Sequence, residues 1–135
     1  MRAVLDTNVL ISALLWRGAP YECLLAAQAS WYELVSADDI FAELGDKLIH
    51  KFEHSAEEAQ DVVQHVRGTA LVVKLQGASG WVSRDPDDDK FIEAALVSGA
   101  EWIVSGDRHL LDLGTVETVR VAAPRQFLEF LRGQE

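Results

Sequence analysis

The chain has 135 residues, of which 49% are hydrophobic and 25% charged, a composition that excludes a disordered segment and suits one domain able to bury roughly two thirds of the surface its unfolded form exposes. With 12 basic and 22 acidic residues the formal charge is −10, which argues against a nucleic-acid coat protein, although screening over about 8 Å at physiological salt permits a local basic rim. A lone cysteine, Cys23, excludes an internal disulfide. No uncharged stretch reaches the roughly 18 residues of a membrane span, and Asp6 interrupts what would otherwise resemble a leader. A single cytoplasmic domain over residues 1–135 with no membrane partner is therefore expected.

In chain order, Arg2 to Leu5 reads as a short buried strand and Asn8 to Trp16 as a helix apolar on nearly every side. Arg17-Gly18-Ala19-Pro20 breaks the run, and Pro20 suits the first turn of a helix through about Ala29, in which Cys23 is a small buried apolar residue. A brief strand at Glu33 to Val35 precedes Ser36-Ala37-Asp38-Asp39, residue types that start helices. From there Ile40, Phe41, Leu44, Leu48 and Phe52 recur at helical spacing. Ser55-Ala56-Glu57-Glu58 has the form of a capping box, predicting a helix from Ala56 to Arg67 that Gly68 ends. Leu71 to Leu75 reads as a strand and Gln76 to Arg84 as a loop. Asp85-Pro86-Asp87-Asp88-Asp89 then leads into a helix closed by Gly99. Trp102 to Val104 is another buried strand, His109 to Leu113 a helical turn, Thr118 to Val121 a last strand, and Pro124 to Leu131 a closing helix. Strands alternating with helices predict an α/β fold with a mostly parallel sheet covered on both faces.

The acids then acquire meaning. In an open parallel sheet the functional crevice lies beyond the carboxyl ends of the strands. Asp6 ends the first strand, and Asp107 follows Val104 at the same edge through Ser105-Gly106. Asp89 falls in the first turn of a helix, where the dipole favours an anion, and Glu43 lies beside the apolar stripe of its own helix. Carboxylates gathered there repel one another and resist ionisation. A divalent cation removes the conflict, and oxygen donors without His or Cys favour Mg²⁺ or Mn²⁺ over Zn²⁺. Acid-only sites of this kind commonly serve phosphate displacement on nucleic acids. Asp85, Asp87 and Asp88 are more simply turn and cap residues. Thr7, Asn8, Ser12 and Ser105 are placed to orient carboxylates and water.

These segments, LDTNVLISALL from Leu5, Ala42-Glu43-Leu44, DDKFIEAAL from Asp88 and WIVSGDRHLL from Trp102, resemble the PIN-domain family, specifically bacterial toxins of the VapC-like kind, with PRQFLEFL similar to the family's ending. The resemblance spans essentially the whole chain. It implies a three-layer α/β/α sandwich, a Mg²⁺- or Mn²⁺-dependent endoribonuclease using one or two ions, a homodimer, and a small cognate antitoxin. It maps the family's acids onto Asp6, Glu43, Asp89 and Asp107, with Asn8 and Ser105 as supporting polar residues and Asp88 as the competitor for the third acid. On this mapping Asp6, Asp89 and Asp107 hold the metal, and Glu43 binds it or a second ion and orients the attacking water. Lys90, Arg108, Arg17 and Lys47 are the nearest candidates for phosphate contact, and Trp16 and Trp81 for base stacking.

Rival readings carry less. His50-Lys51-Phe52-Glu53-His54 matches an inverted zinc-peptidase pattern, but Ser55 as a helix cap sets His54 off the preceding helix. A phosphatase using Asp6 as nucleophile wants a second Asp where Asn8 stands, and the paired acids of a receiver domain are missing from the first strand. A catalytically silent PIN-like module that only binds a partner is the alternative from a different class.

Overall fold

The computed structural model describes residues 1–77 and 86–133. Its sheet has six strands, β1 (Arg2–Leu5), β2 (Glu33–Ala37), β3 (Leu71–Val73), β4 (Trp102–Val104), β5 (Thr115–Val116) and β6 (Val119–Ala122), in the spatial order β3-β2-β1-β4-β6-β5. Every pairing is parallel except β5 with β6. Ala3, Val4 and Leu5 have no exposed surface, as a central parallel strand requires when helices cover both faces.

The helices are α1 (Thr7–Leu15), α2 (Ala19–Gln28), α3 (Asp38–Phe52), α4 (Ala56–Thr69), α5 (Asp89–Ser98), α6 (Arg108–Leu111) and α7 (Pro124–Arg132), completing a three-layer α/β/α architecture. α5 lies across β1, β2, β3 and β4, while α1 packs on α2 and α3, and α2 on α7. Tyr32 and Trp102 meet Phe127 of α7 with ring centroids 5.0 and 5.8 Å apart. Among the described residues no single helix is long and apolar enough to cross a membrane.

The local chemistry of the ends explains most boundaries. Ser55 accepts the Glu58 amide while Glu58 returns a bond to the Ser55 amide, the expected capping box. Gly99 closes α5 at φ 72°, a left-handed conformation that costs glycine little. Gly68, expected to end α4, instead lies inside it. One glycine costs a helix only about 1 kcal/mol, and Arg67 ties the same turn to Asp38 at 2.5 Å. Ser36 and Ala37 belong to β2 rather than to a helix start, because their pairing with Val72 and Val73 of β3 continues the ladder. α3 consequently begins without a side-chain cap. β3 stops at Val73, short of Leu75. The sequence reading had no counterpart for β5, a two-residue strand turned back onto β6 through Glu117 at φ 54°. Residues 78–84 of the expected loop, with Trp81, and Asp85 lie outside the described residues.

What matters for function is the position of β1. The chain leaves it toward β2 on one side and returns as β4 on the other, so the connections diverge above its carboxyl end. Leu5 is in register with Val104, which brings Asp6 beside Ser105.

Candidate active site

Asp6 is the N-cap of α1. Its Oδ1 accepts the Val9 amide at 2.8 Å, and its Oδ2 accepts the Ser105 hydroxyl. The same Ser105 oxygen accepts the Asp107 amide at 2.9 Å, so one buried hydroxyl sets the spacing of two acids that are far apart in sequence. Asp107 in turn caps α6, its Oδ1 accepting the His109 amide at 2.8 Å. Asp6 is only 3% exposed. Burial holds its carboxyl above the ordinary aspartate range and the nearby Asp107 charge adds to the rise, opposed by the Ser105 and Val9 hydrogen bonds and by Lys47.

Glu43, one turn into α3, faces the same space. Thr7 donates its hydroxyl to Glu43 Oε1; Lys90 Nζ lies 3.3 Å from that oxygen, and Lys47 Nζ lies 3.8 Å from Oε2. Lys47 also donates to Asn8 Oδ1 at 3.2 Å. Together Asp6, Thr7, Asn8, Glu43, Lys47, Asp87, Asp88, Phe91 and Asp107 line a cleft of about 130 Å³. A larger hollow of about 560 Å³ opens near the other ends of β1 and β2, lined by Met1, Arg2 and Glu33 among others. It holds one acid beside Arg2 and lacks the concentration of carboxylates found here.

Of the residues singled out from sequence, Asp6, Glu43, Asp107, Thr7, Asn8 and Lys47 share this cleft, and Ser105 supports it from behind. Asp89 heads α5 without lining the cleft; Asp88, from the 3₁₀ turn Pro86–Asp88, lines it and is 6% exposed. Ser12 lies further along α1, outside the lining. Arg17 stacks over Tyr21 with 4.8 Å to the ring centroid, and Arg108 is exposed at the start of α6; neither lines the cleft. Trp16, 56% exposed, meets Phe52 edge-on.

Two features escaped the sequence reading. Asp87 reads from the sequence as a turn residue alone, yet it lines the cleft beside Asp88, the competitor for the third acid. Glu93 is buried on α5 and accepts the Gln76 amide at 2.5 Å; its only trace in the sequence is a charge inside Phe91-Ile92-Glu93-Ala94-Ala95. The His50–His54 pattern dissolves, because α3 ends at Phe52, Glu53 turns left-handed at φ 59°, and His50 pairs with Asp46 at 3.4 Å.

A family model described as PIN domain matches residues 2–109. The chain belongs to the PIN-domain family. Among solved structures, this PIN domain is similar to a chain of VapBC2 from Rickettsia felis, determined bound to a DNA fragment from their promoter, with TM-score 0.62 and 13% identity over 90% of this chain and 97% of that one. At that identity the likeness speaks for the fold. No curated protein matches the chain.

The fold raises the question of a divalent ion, and the donor chemistry of the cleft answers to it. Carboxylate oxygens from Asp6, Glu43, Asp88 and Asp107 line one small volume, hard ligands of the kind Mg²⁺ and Mn²⁺ take. Burial holds the Asp6 carboxyl above its ordinary range against the Ser105 and Val9 hydrogen bonds and the Lys47 charge. Among the described residues no three His, Cys, Asp or Glu side chains are arranged to hold an ion as they stand. One reason is visible at Glu43, whose oxygens are engaged by Thr7 and approached by the two lysines. The residues present fit such an ion in kind, and Glu43 has to exchange partners to take part.

Proposed function

We propose that this PIN domain is a Mg²⁺- or Mn²⁺-dependent endoribonuclease, the toxin of a toxin–antitoxin pair, acting as one unit over residues 1–135 in the cytoplasm, as a homodimer restrained by a small protein antitoxin. The observation that carries the reading is Asp6, buried at the end of the central strand and bonded through Ser105 to the segment that carries Asp107. A charge costs too much there to be kept for packing alone. The likeness to VapBC2 supports an antitoxin as partner.

In this reading Asp6, Asp107 and Asp88 hold the ion, with Glu43 joining them or orienting water; Asp88 is preferred over Asp89 because it lines the cleft. When bound, a divalent ion lowers the pKa of coordinated water and neutralises charge on a phosphate undergoing displacement. The remaining work is the protein's own. Ser105 keeps Asp6 and Asp107 aligned, Thr7 holds Glu43 at the cleft until it exchanges partners to orient water, and Lys47 and Lys90 are the nearest cations for the phosphodiester. Water adds to phosphorus, giving up a proton to solvent, and the P–O bond to the RNA chain breaks, its departing oxygen taking a proton from solvent.

The test is cleavage of cellular RNA by the purified protein with Mn²⁺, with EDTA, and after Asp6→Asn. Cleavage that needs Mn²⁺ and is lost in a folded Asp6→Asn supports the proposal; retained cleavage in that variant overturns it. No cleavage, together with no thermal shift on adding Mn²⁺, favours the silent partner-binding module.

A further inference from the structure

Among the described residues lining the cleft, Lys47 is the one basic side chain, set against Asp6, Glu43, Asp87, Asp88 and Asp107. It stands one helical turn beyond Glu43, on the same face of α3. Its Nζ reaches across to Asn8 on α1 at 3.2 Å, and its charge is among those that favour the ionised form of Asp6. Lys90 also contacts Glu43, but its ammonium donates to the Asp87 carbonyl at 2.5 Å, lies over the Phe91 ring and stays outside the lining.

We infer that Lys47 is the resident counter-charge of the cleft, exchanged for the divalent ion when that ion binds, so that this lysine sets how tightly the ion is held. The inference rests on the proposed metal site and concerns its affinity. An ammonium and a divalent cation in one cleft of about 130 Å³ repel, and Coulomb attraction of the same acids is shared between them. At the effective dielectric of a part-buried site this is worth roughly one to two powers of ten in affinity. A lysine suits exchange because its ammonium is a compact charge on a flexible stem, able to withdraw toward solvent without leaving the helix. At 24% exposure its side chain is neither locked in the core nor free of the cleft.

The experiment is calorimetric titration of Mn²⁺ into the full chain, alongside thermal unfolding in EDTA, for the wild type, Lys47→Met, Lys47→Arg and Lys90→Met. Lys47→Gln replaces Lys47→Met should the latter not fold. Neutral residue 47 is expected to tighten Mn²⁺ about tenfold or more while lowering the metal-free melting temperature. Lys47→Arg stays within about threefold of wild type, and Lys90→Met changes affinity less than Lys47→Met. A lysine that merely braces Asn8 and Glu43 gives the opposite result, with Mn²⁺ affinity and metal-free stability falling together. That outcome, unchanged affinity, or equal tightening by both Met variants overturns the assignment to Lys47 and leaves the metal site standing. A wild type that binds no Mn²⁺ removes the site and the inference together.

Discussion

Replacing Ser105 by alanine removes one oxygen that serves two acids, and the structure allows the consequence to be sized. Ser105 has no exposed surface and Asp6 only 3%, so water does not readily replace the lost donor to Asp6 Oδ2. A hydrogen bond to a charged, buried acceptor is worth about 1.5–3 kcal/mol, and the part-buried Asp107 amide that loses its acceptor adds about 0.5–1 kcal/mol. Metal-free Ser105→Ala should therefore lose about 2–4 kcal/mol at pH 8. For a chain of this length that is a fall in Tm of about 8–16 °C. The pH dependence has a definite sign. Burial raises the Asp6 pKa in the folded state, so its contribution to stability is fully present below the ordinary aspartate range and is lost as pH rises through the folded value. Losing the Ser105 donor raises that value further, and the deficit of the variant must grow between pH 4.5 and pH 8. Urea unfolding in EDTA at the two pH values measures it, and Ser105→Thr should recover most of the loss. A deficit under about 0.5 kcal/mol, or one independent of pH, refutes the claim that this hydroxyl sustains a buried carboxylate.

Asp88→Asn is expected to reduce metal-dependent cleavage more than Asp89→Asn, which single-turnover rates on one RNA will show; equal losses would return the third acid to an open choice between neighbours. Asp6→Asn, which removes the buried charge and keeps an acceptor for the Val9 amide, should leave metal-free stability less dependent on pH than in the wild type, as unfolding from pH 4.5 to 8 will measure. Cys23 is buried within α2, and burial pushes its thiol up to about 12. The folded protein should resist iodoacetamide at pH 8 while urea-unfolded protein reacts at once, and mass spectrometry after brief exposure decides it.

Much of the central structure is legible in the chain itself, for reasons that differ by element. Asp6 announces a site because a lone carboxylate in an apolar strand has no cheap structural explanation. The capping box at Ser55, Gly99 after α5 and Pro20 near the start of α2 mark ends through local backbone chemistry, which needs no tertiary context. Asp87, Asp88 and Asp89 show the limit. They are consecutive, and only the 3₁₀ turn before α5 decides which of them enters the cleft. Ser36 and Ala37 resemble a helix start until β3 arrives to pair with them, and β5 is too short to produce a periodic pattern. Lys47 reads as one of four candidates for phosphate contact; only the approach of α1 and Asn8 sets it apart from Arg17 and Arg108 as a cleft residue.

The central claim is that acids from β1, α3, the 3₁₀ turn and the β4–α6 connection converge on one cation. Paramagnetic broadening of backbone amide resonances by substoichiometric Mn²⁺ tests it directly. Residues 6–8, 43, 87–88 and 105–107 are expected to broaden first and together, and Mg²⁺ in excess to restore them. Broadening centred elsewhere, or confined to one of these segments, contradicts it.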